Sequence, residues 1–435
     1  MAVKTVKLGV DKLEVGMFVS SLDRPWVDTP FPLQGFFVIN YEDINELRLY
    51  CQEVYIDVTL GKCPEHYKAD LMIPAPVSEL KKSVPKDRSG KPRNIPHVVP
   101  LRISRSVYHT HIPVKKEILK AQKLHHRLAE TFSDFMYKLR QGSYVDIAEP
   151  SKIVNELVDS VTRNPDAMIW LARVRKWDNY SYHHSIRATI WATIFGRHVG
   201  LNREGMRALA LGTMLCEVGM VHVPQELLEK TGAYTADEKA TIRQHIQHSL
   251  DIVNKMEGVS PFARSVVATH HEYFDGGGYP KGISGDEIPY LGKIAGIAYA
   301  YDELRHPRQA TNSVTPAAAM NKLYQLRDVA YQAELVDEFI QAIGIYPAGS
   351  LVELSTNEIG VIIEQNATLR LSPKVMVMLD ANKQPLKRMR LIDISQKKRW
   401  LRKDNVMITA CLAPSTYCIS LDKIQNILFK HSWAW

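Results

Sequence analysis

The stretch His270–Pro289, HHEYFDGGGYPKGISGDEIP, joins two adjacent histidines to three consecutive glycines. Glycine lets the backbone approach a ligand closely, and Pro280 restricts the conformation where the loop ends. A glycine-rich loop on its own is usually an ordinary turn. Because this one directly follows a histidine pair, it predicts a binding site at the end of the preceding helix.

Upstream and downstream of this stretch, the chain is dominated by helical periodicity. Apolar residues recur at helical spacing from Lys152 to Ile343, and nine of the 16 histidines lie between residues 183 and 306. A single histidine on an apolar face is more often a core residue than a ligand, so a site requires several of them together. Helices are predicted at 152–162, 166–175, 180–199, 203–220, 235–256, 260–271, 287–305 and 315–343.

Three side chains on separate helices are predicted to point inward. His184 shares a face with Trp191, and His245 lies on the apolar stripe of a helix that begins with a capping box at Thr235. Glu217 continues a buried stripe within the apolar stretch Ala208–Pro224, ALALGTMLCEVGMVHVP. Burying an unpaired carboxylate is costly, and imidazoles and carboxylates from separate helices are the ligands of a first-row metal site. We therefore expect a metal cation, rather than Lys or Arg, to compensate Glu217.

Composition limits the class of protein. The chain of 435 residues has 55 Lys and Arg against 47 Asp and Glu, a net charge of +8, which favours an anionic ligand and plain solvated charge about equally. The basic residues are not interleaved with aromatic ones, so no DNA partner is expected. Five cysteines form no CxxC pair, and no apolar run approaches the length that spans a bilayer. A cytoplasmic protein is the expectation.

Shifts in pattern divide the chain into five predicted segments. Residues 1–72 form an N-terminal accessory α+β domain, 73–112 a Pro-rich basic linker, and 113–150 a long connecting helix. Residues 151–343 form the helical domain that holds the histidines, and 344–435 form a β-rich C-terminal extension with alternating, turn-punctuated strands.

Residues 175–310 resemble the HD-GYP family, bacterial metal-dependent phosphodiesterases that hydrolyse cyclic di-GMP. The resemblance is carried by YSYHHS, by YTADEKATIRQHIQHS and above all by HHEYFDGGGYPKG. Residues 5–59 resemble the small domain that often precedes HD-GYP domains, and residues 349–383 resemble the extension that commonly follows them. The expected fold is therefore mainly α, an HD-domain helical bundle with a small N-terminal α+β domain and a small C-terminal β-rich extension.

The resemblance implies a centre of two or three divalent ions, commonly iron or manganese, that activates water against the phosphodiester. The implied metal ligands are His184, His245, His270 and His271. The implied substrate-binding residues are Gly278, Tyr279 and Pro280 of the signature tripeptide, Lys293, Asp302 and Arg308.

The sequence departs from the family pattern at the positions that carry the chemistry. Where the family has HDxGK, this chain has Cys216 and Glu217, then Met220 in place of the lysine. A ligating aspartate is replaced by Tyr299, and an arginine by Lys293, which lacks the planar fork that grips phosphate. Cys216 is a candidate thiolate ligand that would favour zinc over manganese, and Glu217 is a candidate ligand and catalytic carboxylate.

Three hypotheses follow. In the first, the protein has an altered metal site with weak or absent phosphodiesterase activity and a regulatory role, binding cyclic di-GMP, a related nucleotide or a signalling partner such as a diguanylate cyclase. In the second, Cys216, Glu217 and the histidines hold one or two ions of iron, manganese or zinc in an active phosphodiesterase. In the third, the chain is a structural helical adaptor whose histidines are core residues and hold no ion. Sequence alone leaves enzymatic activity open.

Overall fold

The structure is a computed structural model, and it describes residues 5–23, 36–38, 41–57, 62, 103–104, 107–174, 180–230, 232–308, 314–344, 346–365, 373–395, 406–412 and 416–418. The chain divides into two compact units, residues 1–94 and 95–435. Most of the predicted linker 73–112 and the end of the predicted C-terminal extension lie outside the described residues. The segment boundaries that we predicted stay predictions.

The first unit is a small α+β fold, as expected. Its antiparallel sheet has the order β1-β4-β2-β3 and is accompanied by one helix. The alternating apolar side chains Val54 and Ile56 of β4 are fully buried, as are Leu47 of the helix and Met17. The elements are β1 (Thr5–Gly9), β2 (Phe18–Leu22), β3 (Phe36–Phe37), α1 (Tyr41–Tyr50) and β4 (Glu53–Asp57).

The second unit begins with a helical bundle, which confirms the predicted mainly α fold. Its helices are α2 (Val114–Arg140), α3 (Ala148–Arg163), α4 (Pro165–Val174), α5 (Tyr180–Val199), α6 (Arg203–Leu215), α7 (Gln225–Glu229), α8 (Ala236–Arg243), α9 (His245–Asn254), α10 (Pro261–Thr269), α11 (Tyr290–Arg305), α12 (Pro316–Gln325) and α13 (Ala333–Ile343). Helix α5 lies at the centre and packs on α6 and α11. None of the described helices combines the length and the apolar character needed to span a bilayer.

Helix α2 packs against α3 and α4 rather than standing apart as a connector. Its buried Glu117 accepts hydrogen bonds from Ser160 and Arg163 of α3, at 2.8 Å from Ser160 Oγ and 2.9 Å from Arg163 Nε. These bonds neutralise a carboxylate that is only 1% exposed. The α2 and α3 helices are thereby fixed in register.

Three predicted helices are shorter than expected, and two of the breaks lie at the site. The helix predicted at 203–220 ends at Leu215, and a 3₁₀ turn (Val218–His222) follows. The helix predicted at 235–256 divides at Gln244 into α8 and α9, and the one predicted at 315–343 divides into α12 and α13. Apolar periodicity continues across each break, which is why the sequence pattern did not reveal them.

A five-stranded antiparallel sheet follows the bundle, in agreement with the predicted β-rich extension. Its order is β8-β7-β6-β5-β9. The sheet is anchored to α4, because Trp170 Nε1 donates to the Ile363 carbonyl at 2.9 Å and Arg173 donates to the carbonyls of Pro347 and Ala348. The strands are β5 (Leu351–Leu354), β6 (Ile359–Glu364), β7 (Lys374–Leu379), β8 (Pro385–Asp393) and β9 (Ile408–Leu412).

Candidate metal centre and ligand pocket

Four of the predicted ligands meet at one place in the bundle. One ligand atom from each of Glu217, His245, His270 and His271 lies within 4.8 Å of the others. Glu217 follows the end of α6, His245 is the first residue of α9, and the histidine pair follows α10. The ends of three helices therefore converge at this place. Two adjacent histidines can both reach one site only at the end of a helix, because neighbouring side chains on a helix diverge by about 100°.

The close approach of two backbones positions this carboxylate and the first histidine. A Cβ atom on Gly219 would collide with the His245 carbonyl and the Ser249 amide, so only glycine fits in the turn after Glu217. Ser249 Oγ then donates to the Cys216 carbonyl and accepts from the Gly219 amide, both at 2.8 Å. The turn and α9 are thus joined directly beside the cluster.

Backbone carbonyls fix the orientation of two imidazoles. Nδ1 of His245 lies 2.8 Å from the Ile242 carbonyl, and Nδ1 of His270 lies 3.0 Å from the Val267 carbonyl. Because a carbonyl only accepts, each Nδ1 carries a proton. Nε2 of His245 lies 3.2 Å from Glu217 Oε1 and pairs with that carboxylate when the ring is protonated, whereas Nε2 of the neutral His270 presents a lone pair to the cluster. Nε2 of His270 is buried and has no hydrogen-bond partner among the described residues. This is the arrangement of histidines that hold a metal.

Charge within the cluster is uneven. Burial alone would raise the pKa of Glu217, but His245, His184 and Arg308 hold it well below its usual range, so Glu217 is ionised. Burial and, to a smaller extent, the neighbouring histidines lower the pKa of His270 to about 4 and that of His271 well below its usual range. Two neutral imidazoles and one carboxylate form a suitable donor set for a divalent cation.

Tyr299 of α11 occupies the middle of the cluster. Its hydroxyl donates to Glu217 Oε1 at 3.0 Å, and its ring contacts those of His270 and His271 at centroid distances of 5.2 and 4.7 Å. It also meets the ring of His184 edge-on at 4.2 Å. The aspartate expected here from the family pattern is thus replaced by a bulky phenol that is hydrogen-bonded to the remaining carboxylate.

His184 is buried as predicted but is not one of the four clustered ligands. Its Nδ1 lies 2.7 Å from Asp302 Oδ2, and Asp302 also accepts from Arg187 Nε at 2.8 Å and Trp191 Nε1 at 3.1 Å. Burial alone would raise the pKa of Asp302, but Arg187 and His184 hold it far below its usual range. The fully buried Asp302 therefore orients His184, a different position from the substrate contact that the family resemblance implied.

Two other predicted site residues point elsewhere. The Cys216 thiol donates to the Gly212 carbonyl one turn earlier in α6, at 3.3 Å, and is not among the clustered ligand atoms. Burial and the nearby Glu217 carboxylate raise the pKa of this thiol well above its usual value, which disfavours a thiolate. Lys293 Nζ is 3.1 Å from both Asp286 and Gln332 and lines a separate, very small cavity.

The glycine loop forms one wall of a pocket beside the cluster. A side chain at Gly278 would collide with the backbone of His271 and Tyr273, so this loop must close tightly on the histidine pair. The Tyr279 amide donates to the His271 carbonyl at 3.1 Å, and the Tyr279 ring stacks on the His271 ring at 4.6 Å. Pro280 follows it through a cis peptide bond.

The pocket has a volume of about 310 Å³, within the range of small-molecule sites. His245, His271 and Tyr299 reach it from the cluster, together with Arg308, whose Nη2 lies 3.9 Å from Glu217 Oε2. Two cationic lining residues were not identified from the sequence: Lys239 and Arg243. Their position shortly before His245 on a predicted helix was the available signal.

Three family models match the chain. Residues 167–335 match a model described as HD domain, 5–150 one described as domain of unknown function (DUF3391), and 351–417 one described as KOW domain associated with HD domain. The first match contains every clustered ligand and the whole pocket. The second extends across the predicted linker and through α2.

Curated relatives include three whose names state the nucleotide on which they act. A cyclic di-GMP phosphodiesterase of Pseudomonas aeruginosa is 28% identical over 86% of this chain and 85% of its own. A cyclic di-GMP phosphodiesterase of Borreliella burgdorferi is 29% identical over 43% of this chain and 49% of its own. A 3'3'-cGAMP-specific phosphodiesterase of Vibrio cholerae is 28% identical over 36% of this chain and 30% of its own.

Among solved structures, an HDG"Y"P protein from Bdellovibrio bacteriovorus aligns over 77% of this chain and 98% of its own, with 13% identity and a TM-score of 0.43.

Proposed function

Since this chain is an HD-domain protein of the HD-GYP type, we propose that it binds cyclic di-GMP beside a single divalent ion and hydrolyses it slowly. The role of the protein would then be regulatory: it would bind cyclic di-GMP and show only weak phosphodiesterase activity. Two of the three relatives are named cyclic di-GMP phosphodiesterases, and the one that matches most of this chain is among them. The pocket supplies aromatic and cationic side chains suited to an anionic nucleotide.

The residues fit one ion. Glu217, His245, His270 and His271 would hold it. The strongest indication is the buried Nε2 of His270, which has no hydrogen-bond partner in the described part of the chain. A divalent ion bound there would act as a Lewis acid toward a phosphodiester oxygen. Iron, manganese and zinc all accept this donor set. His184, bonded to Asp302, would then be a positioning residue for Tyr299 rather than a ligand of the same ion.

The slow rate rests on one observation, the Tyr299 hydroxyl bonded to Glu217 at 3.0 Å. A neutral phenol supplies no ligand charge where the family pattern has a carboxylate, and it holds a proton beside Glu217. Met220, which lines the same pocket, cannot donate to a phosphate oxygen. Loss of one electrostatic stabiliser typically costs about 10²–10³ in rate.

Other chain groups are placed to bind and orient the nucleotide. Tyr279 lines the pocket with a ring that is fixed by stacking on His271, and Arg308 is a cation close to Glu217 at the cluster edge of the pocket. Gly278 keeps the loop backbone against His271. The substrate-phosphate roles of Lys293 and Asp302 that the family pattern implied are less well supported, because neither residue lines this pocket.

The test combines three measurements on one anaerobically purified, manganese-loaded sample: metal content, cyclic di-GMP binding by calorimetry, and product formation by chromatography. We expect binding with slow turnover. A variant that restores the family pattern, Cys216→His, Glu217→Asp, Met220→Lys and Tyr299→Asp, is expected to turn over at least about 10²-fold faster. Absence of cyclic di-GMP binding by the wild-type protein would refute the proposal.

The competing hypothesis is a fully active phosphodiesterase with a rewired site. The clustering of four intact ligands favours it. A wild-type rate that is fast and equal to that of an active restored variant would establish it and refute the slow-enzyme proposal. The structural-adaptor hypothesis predicts instead that purified protein retains no stoichiometric metal. A signalling partner such as a diguanylate cyclase stays a prediction.

A further inference from the structure

Helix α8 carries two cations along one edge of the pocket. Lys239 and Arg243 are four residues apart, so their side chains project from the same face of the helix, and both line the pocket. The next residue but one is the cluster ligand His245. The cationic edge therefore continues directly to the proposed metal site.

Within the described residues, no carboxylate pairs with either of these two charges. The nearest acidic neighbour in sequence, Glu238, binds Lys230 at 2.7 Å and closes the capping box of α8. Like charges spaced by four residues destabilise a helix slightly, so their presence at a pocket favours an anionic ligand.

The Arg243 side chain is held in place over an aromatic ring. Its guanidinium carbon lies 4.6 Å from the Tyr279 centroid, and the same ring stacks on His271. A guanidinium held over a ring by its positive charge keeps N–H groups that can donate to an oxygen ligand. The contact links the α8 cations to the glycine loop and, through His271, to the cluster.

The charged side chains that line the pocket are mostly cationic. Lys239, Arg243 and Arg308 are cationic, whereas Glu303 is the single carboxylate among its described lining residues. Arg308 lies beside Glu217 at the cluster, and Met220 is uncharged. A ligand with two separated negative charges would meet cations at the cluster and, independently, along α8.

We propose that Lys239 and Arg243 bind the second phosphate of the cyclic dinucleotide, the one that does not lie at the metal cluster. This inference rests on the proposed function and names the residues through which that pocket would distinguish a two-phosphate ligand from a mononucleotide. Neither Lys239 nor Arg243 is among the substrate-binding residues that the family resemblance implied.

Calorimetry on the full-length, manganese-loaded protein tests this with two probes, cyclic di-GMP and GMP. Arg243→Ala and Lys239→Ala are each expected to weaken cyclic di-GMP binding about tenfold, the usual effect of losing a charged hydrogen bond, and to leave GMP binding unchanged. Arg243→Lys is expected to lie between wild type and Arg243→Ala. Lys255→Ala, which removes an exposed charge directly after the end of α9, is the matched control.

Metal content of each variant confirms that the cluster is intact. If Arg243→Ala and Lys239→Ala bind cyclic di-GMP as tightly as Lys255→Ala does, or if they weaken GMP equally, the inference is wrong while the proposed function stands. If the wild-type protein does not bind cyclic di-GMP, both fail.

Discussion

The hydroxyl of Tyr299 and the Oε1 atom of Glu217 are joined by a hydrogen bond of 3.0 Å inside a group of histidines. The phenol ring fills space among His184, His270 and His271 that a smaller carboxylate would leave open. One residue thus removes a ligand charge, occupies volume and adds a proton donor to the remaining carboxylate.

We predict that Tyr299 limits the centre to one ion per chain. Tyr299→Asp restores a carboxylate between His184 and Glu217 and is expected to raise the manganese content from one ion to two per chain, measured by elemental analysis after removal of loose metal. Tyr299→Phe keeps the ring and is expected to retain one ion. Equal metal content in both variants would contradict the prediction.

Gly219 is predicted to be essential for metal retention. A methyl group there would collide with the His245 carbonyl and the Ser249 amide, both backbone atoms, so Gly219→Ala must displace α9 or the turn that carries Glu217. Metal content should fall well below that of wild type. Gly9→Ala, where no atom lies within 4 Å of the added methyl, serves as the control. Full metal retention by Gly219→Ala would show that the turn can shift without cost.

Asp302 is predicted to stabilise the bundle strongly. Asp302→Asn removes the charge that compensates the buried Arg187 and disturbs the bonds to His184 and Trp191, and breaking a buried pair costs about 3–5 kcal/mol. The free energy of unfolding in urea measures the change. Asp134→Asn, at an exposed pair with Lys138, should have little effect. Similar losses in the two variants would argue against the buried network.

A pH dependence is expected from Glu117. Burial alone would raise its pKa, but the hydrogen bonds from Arg163 and Ser160 hold it below 4.5. A carboxyl with a lowered folded-state pKa contributes stability above its unfolded value, and this contribution is lost as pH falls below about 4.5. Glu117→Gln should therefore cost about 2 kcal/mol near neutral pH, with the difference from wild type shrinking in acid. A difference that is independent of pH would contradict this origin.

The burial of three candidate side chains could be predicted from the sequence, because the residues around them have a strong local signature. The inward direction of His184, Glu217 and His245 followed from the apolar stripes around them, and all three are buried. The glycine loop indicated a close backbone approach, which Gly278 makes against His271. Both features depend on periodicity and on glycine, and a single sequence expresses these directly.

The remaining errors arise from tertiary contacts. The periodicity of residues 203–220 does not reveal that α6 ends at Leu215. The break coincides with the close contact between Gly219 and the backbone of α9, and that contact joins residues distant in sequence. The Cys216 thiol, one residue past the end of α6, donates back to the Gly212 carbonyl of that helix, and the sequence pattern did not predict this. The clustering of Lys239 and Arg243 beside Tyr279 depends on α8 facing a loop more than thirty residues away in sequence.

The link between α4 and the C-terminal sheet determines how the protein can be dissected. A chain ended at Ile343 would leave the Trp170 indole without the Ile363 carbonyl and Arg173 without its three acceptors in residues 347–350. Burial lowers the pKa of that arginine to about 10, so it would be an uncompensated cation in the bundle. The C-terminal sheet is thus joined to the bundle by buried hydrogen bonds, and the two are expected to unfold together in one calorimetric transition.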